Sequence, residues 1–209
     1  MQAPDDLIRI GLTDDMFPKG CHVCQIYSDD DERSQAILAF LLAGLEAGEK
    51  TACFSDRVEP KELGAFLAEN DLLMEELIGK GTLNLVDSSR TYFEGGVFDP
   101  DRMLANLTEF YDDSKSAGYP AARALGEMMP EVKNQRGGSR LIEYEARITI
   151  LLRDHPITTV CQYDARAFDG ATIMDILQVH PMMVVHGAVV HNPYFTDPEK
   201  VLARLGCPI

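Results

Sequence analysis

At 209 residues, 45% hydrophobic and 25% charged, the chain is long enough for one well-buried globular domain and short for two. A net charge of −15 argues against DNA, RNA or an anionic membrane as a direct partner, because an acidic surface repels phosphates. No apolar run approaches the roughly 20 residues of a transmembrane helix, and the N-terminus, MQAPDDLIRIGLTDD, lacks a basic-then-apolar leader, so a cytoplasmic protein is expected.

Residues 1–19 read as an extended lead-in with a short edge element near residues 7–10, and residues 20–209 as one domain. Residues 23–27 form the first apolar strand. Asp29 or Asp30 caps the helix that follows, and Glu32 falls in its acid-favouring first turn. Ile37, Leu38, Leu41, Leu42 and Leu45 recur at three and four, which gives that helix a buried face, and Gly48 stops it. Residues 51–54 are a second strand. A strand, helix, strand unit of this kind opens a parallel sheet, since parallel strands need a crossover. In many such folds the turn after the first strand is a phosphate-cradling loop, G-x-x-x-x-G-K-[ST]. Here Tyr27 and Glu32 stand where glycines belong, and Arg33 and Ser34 where Lys and Ser/Thr belong. With Asp29, Asp30, Asp31 and Glu32 in the bend, the turn is hostile to a triphosphate.

Pro60 starts a helix with Leu63, Phe66 and Leu67 inward, a short helix spans residues 72–78, and residues 83–87 are strand three. The stretch SSRTYFEGGVF carries turn residues and aromatics, and reads as a loop that could serve as a lid or partner surface. A long helix follows Asp99-Pro100, with Met103, Leu104, Leu107, Phe110 and Tyr111 on one face. Residues 121–129 make strand four, residues 134–139 a glycine-rich turn, residues 140–153 a helix and residues 157–163 strand five. Residues 171–179 are helical, residues 182–190 a terminal strand or hairpin, and residues 199–205 a last helical turn or two.

Strands alternating with helices imply a three-layer α/β fold around a mainly parallel sheet. In such sheets ligands bind beyond the carboxyl ends of the strands. That rule gathers Tyr27 with the acidic turn, Ser55-Asp56, Asp87-Ser88, Glu127-Met128-Met129 and Tyr163-Asp164. Glu127 is expected to pair with Arg123, four residues earlier on the same strand face, rather than to act as a catalytic acid. Cys161, inside an apolar strand, reads as core. Cys21 and Cys24 make a formal C-x-x-C, but residues three apart on a strand face opposite ways, so neither a redox nor a zinc role is assigned. His22, His180, His186 and His191 have no chelating local spacing, and neither a metal nor a cofactor is expected.

The order of elements, with AGLEAGEK closing the first helix and the strand ending near Asp87, resembles the RecA/KaiC-like ATPase core without a functional phosphate loop. A narrower resemblance is to the MEDS sensory domain, the methanogen/methylotroph type. It rests on His22 with Tyr27 and the acidic turn, FLLAGLEAGEK at 40–50, Gly118-Tyr119 with Arg123 and Gly126-Glu127-Met128, Glu143-Tyr144-Glu145, Cys161-Gln162-Tyr163-Asp164, His180-Pro181 and Asn192-Pro193-Tyr194, over roughly residues 20–195. The resemblance implies a non-enzymatic signal-transduction domain that senses a small organic, hydrocarbon-derived ligand, usually joined to a kinase or DNA-binding domain. No such output domain is seen here, so a separate signalling protein, a kinase or transcription regulator, is the expected partner, and a homodimer is admitted. The resemblance brings His22, Tyr27 and His180 forward as pocket residues, beside Arg123, Glu127, Tyr163 and Asp164 from the strand ends. Two other readings stay open: a divergent KaiC-like ATPase using Arg33, Ser34 and Glu127, and a regulator of a kinase or sigma factor that docks through the loop at residues 92–98.

Overall fold

A computed structural model describes residues 7–208. It opens with an antiparallel hairpin of β1 (Leu7–Arg9) and β2 (Met16–Pro18). Next come β3 (His22–Tyr27), α1 (Asp30–Glu46), β4 (Lys50–Phe54), α2 (Pro60–Glu69), α3 (Met74–Gly79) and β5 (Leu83–Val86). A short α4 (Ser88–Tyr92) precedes α5 (Pro100–Ser116), β6 (Ala122–Glu127), α6 (Leu141–Leu151) and β7 (Ile157–Asp164). The described chain ends in α7 (Gly170–Val179), β8 (Met182–Val185), β9 (Ala188–His191) and α8 (Pro198–Leu205).

The main sheet has the order β5-β4-β6-β7-β3-β8-β9, parallel except for β9, which returns along β8 through Gly187. Alternation divides the strand residues between two faces. Val23, Cys53, Leu125 and Val160 pack with Ile37, Phe40 and Leu41 of α1 and Leu63 and Leu67 of α2. Cys24, Ala52, Ala124 and Cys161 meet Leu104 of α5, Tyr144 and Ile148 of α6, and Ile176 of α7. Helices therefore cover both faces, so the central strands are buried on both sides, and their polar residues, such as His22, Gln25, Arg123 and Gln162, are buried with them. Cys21 and Cys24 do fall on opposite faces.

From β3 the chain crosses towards β4, and from the adjacent β7 it crosses the other way, towards β8. The crevice above these two carboxyl ends is thus a topological switch point, the place where α/β sheets take ligands. Among the described residues no helix is long and apolar enough to cross a membrane.

Two expectations are corrected. The stretch SSRTYFEGGVF is not an exposed loop: α4 forms within it, and Tyr92 and Phe98 are buried against Tyr144. Its aromatics fill the space over Gly126, where a Cβ would stand 2.5 Å from the Tyr92 hydroxyl. The Arg123–Glu127 pair does not form either. Four strand residues span about 13 Å, so the two side chains share a face but lie beyond each other's reach.

Candidate functional site

At the amino end of α1 the Asp29 carboxylate accepts bonds of 3.0 Å from the backbone N–H groups of both Asp31 and Glu32. These are the donors that a phosphate at a helix N-terminus would use, and here a side chain occupies them. One turn on, the buried Arg33 guanidinium lies 3.5 Å from the carboxylate of Glu127. The position that would offer a cation to a phosphate is turned inward onto an acid.

Glu127, at the end of β6, gathers the rim. It accepts hydrogen bonds from Tyr27 Oη at 2.9 Å, Ser55 Oγ at 2.5 Å and Arg57 Nη1 at 3.2 Å. Arg57 also donates to Tyr27 Oη at 2.9 Å and to Asp30 at 2.5 Å. Arg166 grips both oxygens of Asp164 at 2.8 Å and reaches Asp30 at 2.9 Å. The acidic bend is therefore locally balanced: Arg33, Arg57 and Arg166 face Asp30, Glu127 and Asp164. The Arg166 guanidinium holds Asp164 below the usual carboxylate range, and hydrogen bonds from Arg166 and Arg57 do the same for Asp30. Burial, then the neighbouring Glu127 carboxylate, pushes the Tyr27 phenol up, so it remains a hydrogen-bond donor at neutral pH. Beside this network is a cavity of about 150 Å³ whose lining includes Tyr27, Arg57, Glu127 and Asp164 together with Met128 and Met129. A space of that order holds a molecule of about six heavy atoms. Its lining offers paired charges and a phenol as well as thioethers that adapt to small apolar groups.

A second constellation lies on the opposite face of the sheet. His22 of β3, Glu145 of α6, Cys161 of β7 and His180, which ends α7, bring one ligand-type atom each to within 4.8 Å of one another, all buried. Tyr163 stands next to them, its ring 5.8 Å from that of His180. Burial drives both histidines down to about 3, and pushes Glu145, Cys161 and Tyr163 up. All are thus held towards their neutral forms.

The seven residues expected to border one pocket therefore divide into three places. Tyr27, Glu127 and Asp164 line the rim cavity. His22, Tyr163 and His180 share the buried cluster. Arg123 belongs to neither: fully buried at the other end of β6, it donates to Glu49 at 2.6 Å and to the carbonyls of Phe40 at 2.7 Å and Arg9 at 2.9 Å. Its role is to tie the first hairpin and α1 to the sheet. Sequence reasoning missed Arg57 and Glu145. Arg57 follows Ser55-Asp56 directly, so the strand-end rule extended by one residue finds it. Glu145 is a carboxylate amid the inward positions of α6, where an unpaired acid is costly; that cost was the signal.

Residues 21–181 match the family model described as MEDS, the MEthanogen/methylotroph, DcmR Sensory domain. Over 162 residues the chain is 26% identical to the transcriptional repressor DcmR of Methylorubrum extorquens, a stretch that is 76% of this chain but only 57% of that protein. Among solved structures, the flagellar accessory protein FlaH of Methanocaldococcus jannaschii superposes with a TM-score of 0.61 at 10% identity, over 83% of this chain and 76% of that one. A KaiC-like protein of Pyrococcus horikoshii OT3 gives 0.55 at 15% identity, over 80% and 71%. These likenesses show the fold, a RecA/KaiC-like α/β sheet. The family match spans most of the residues that build both constellations, and the chain belongs to the MEDS family of sensory domains.

Proposed function

We propose that this chain is a non-enzymatic sensor that binds a small organic molecule at the rim cavity and passes the signal to a protein partner in transcription regulation or a kinase pathway. The observation that carries this reading is the Arg33–Glu127 contact, which takes up the cation a nucleotide's phosphates would need. The cavity beside it suits a guest with a short apolar part against Met128 and Met129 and one polar group against Tyr27, Arg57 and Glu127. Such a guest would compete for the hydrogen bonds that now join β3, β4 and β6, and so would loosen or tighten the loops that carry Asp30, Arg57 and Arg166. That movement is the signal a partner could read. The family's description as a sensory domain and the likeness to a transcriptional repressor support this direction of use. The net charge of −15 favours a protein surface, rather than DNA, as what it meets.

The test is a thermal-shift and calorimetric panel of short-chain alcohols, ketones and carboxylates against ATP–Mg. A saturable rise in melting temperature is expected with a small organic compound, lost in Glu127→Gln, with no response to ATP–Mg. Stabilisation specific to ATP, accompanied by turnover, overturns the proposal in favour of a divergent ATPase.

A further inference from the structure

The buried cluster on the face away from the rim has an unusual set of hydrogen bonds. His180 Nδ1 lies 2.8 Å from the carbonyl of Ile176, so it must carry the proton and donate, which leaves Nε2 as a bare acceptor. That Nε2 has no hydrogen-bond partner and is completely enclosed. Thr149 Oγ1 donates its only proton to the carbonyl of Val179 at 2.8 Å, so its 2.8 Å bond to His22 Nδ1 has the histidine as donor. His22 Nε2 is then a bare acceptor as well. Both nitrogens approach the same carboxyl oxygen: Glu145 Oε2 lies 3.5 Å from His22 Nε2 and 3.6 Å from His180 Nε2. Cys161 Sγ is 3.4 Å from His22 Nε2 and 3.8 Å from Glu145 Oε2. Two imidazole lone pairs, a carboxyl oxygen and a sulfur thus converge, with at most the thiol and carboxyl protons to share among them, and His180 Nε2 receives neither. Acceptors facing one another in a dry interior are costly unless something positive lies between them.

We propose that His22 Nε2, Glu145 Oε2, Cys161 Sγ and His180 Nε2 are the four ligands of a buried divalent transition-metal site, with Zn²⁺ as the best-fitting ion. Bonds of about 2.0–2.1 Å to nitrogen or oxygen and about 2.3 Å to sulfur, set tetrahedrally, put neighbouring ligand atoms about 3.4–3.6 Å apart. Four of the six edges, at 3.4, 3.5, 3.6 and 3.8 Å, come close to those values, and the other two lie within 4.8 Å. A mixed nitrogen, oxygen and sulfur set selects a borderline ion, whereas Mg²⁺ and Ca²⁺ take oxygen shells. Thr149 and the Ile176 carbonyl supply the outer bonds that orient ligating histidines. On uptake the ion would displace the thiol proton, and any proton on the Glu145 carboxyl, to solvent. Four protein ligands fill a tetrahedral shell, so the site is closed, and it joins β3, β7, α6 and the end of α7. It stands apart from the rim cavity and does not depend on the function proposed there.

The full chain, stripped with a chelator under mild denaturation and refolded, is titrated with Co²⁺ and then Zn²⁺. One equivalent of Co²⁺ should bind, giving the visible bands of a tetrahedral ion and a thiolate charge-transfer band, and Zn²⁺ should displace it. Cys161→Ser should remove the charge-transfer band, and Thr149→Val, a positioning change, should weaken binding about 10-fold. The pair His186→Ala and His191→Ala, on exposed positions, should change neither. If Cys161→Ser or Thr149→Val does not fold, wild-type stoichiometry by native mass spectrometry and the charge-transfer band decide alone. Absence of a saturable single site, or Co²⁺ spectra without the sulfur band, overturns the proposal. So does an infrared carbonyl band of a protonated carboxyl that is lost in Glu145→Gln yet persists in the wild type after one equivalent of Zn²⁺, since the cluster would then be a neutral hydrogen-bonded core.

Discussion

The carboxylate of Glu49 accepts a 2.6 Å bond from Nε of Arg123, and neither side chain reaches water. The remaining guanidinium nitrogens donate to the carbonyls of Phe40 and Arg9, and its carbon sits 4.9 Å over the Phe40 ring. A charge so enclosed depends on its single counter-charge. Glu49→Ala should therefore destabilise the protein by about 3–5 kcal/mol, read as a fall in the urea midpoint. Adding Arg123→Met removes the stranded cation and should recover a good part of that loss. A double variant no better than Glu49→Ala alone would contradict this account of the pair.

Helix α1 leaves room for that guanidinium by placing Gly44 beneath it. A Cβ at Gly44 would stand 2.4 Å from both Cδ and Nε of Arg123, atoms fixed by the Glu49 bond. Gly44→Ala should thus cost about 1–3 kcal/mol despite the better helix propensity of alanine. Gly64, inside α2, is the control. Its Cβ would meet only the flexible end of Met74 at 3.4 Å, so Gly64→Ala should be neutral or stabilise by up to about 1 kcal/mol. Opposite signs in two chemically identical substitutions are the expected result of parallel thermal melts.

The fold was legible in the sequence because its periodicities are clean. Ile37, Leu41 and Leu45 mark the inward face of α1, and Gly48, at φ +70°, stops the chain where the sequence placed the stop. The rim's geometry was legible from one rule, that α/β sheets open a crevice beyond their strand ends, which places Tyr27, Glu127 and Asp164 at the cavity. What local pattern could not show was distance along a strand and convergence across one. Arg123 and Glu127 share parity, so alternation made them look like partners, yet the rise of the strand sets them at opposite ends. His22 and His180 are 158 positions apart and carry no chelating spacing, but β3 and the end of α7 bring their rings to 4.1 Å between centroids. Cys161 read as a small hydrophobe for the same reason: the histidine and the acid beside it come from other elements.

Asp29 closes the amino end of α1 with two bonds to its first free N–H groups. Asp29→Ala should cost about 1 kcal/mol, the usual price of a lost N-cap. It should not create nucleotide affinity, because Arg33 would still be turned onto Glu127. Equilibrium unfolding and displacement of a fluorescent ATP analogue measure the two effects. Tight ATP binding by this variant would show that the cap alone keeps a phosphate out.

The rim's ion pairs predict a pH dependence with a definite sign. Asp164 is held below its ordinary range, first by its hydrogen bond with Arg166. A carboxylate with a depressed folded-state pKa contributes stability that is complete above the unfolded value near pH 4, and loses it as pH falls through the folded value. Asp164→Asn removes that contribution and leaves every other titrating group in place. At pH 7 the wild type should therefore have the higher urea midpoint, and the gap should be flat from pH 7 to about 5. Below about pH 4 it should close. Added salt should narrow the gap at pH 7, since Arg166 is half exposed and screened by solvent ions. A gap that widens on acidification would mean that Asp164 is protonated in the folded state, and that Arg166 holds the rim through Asp30 instead.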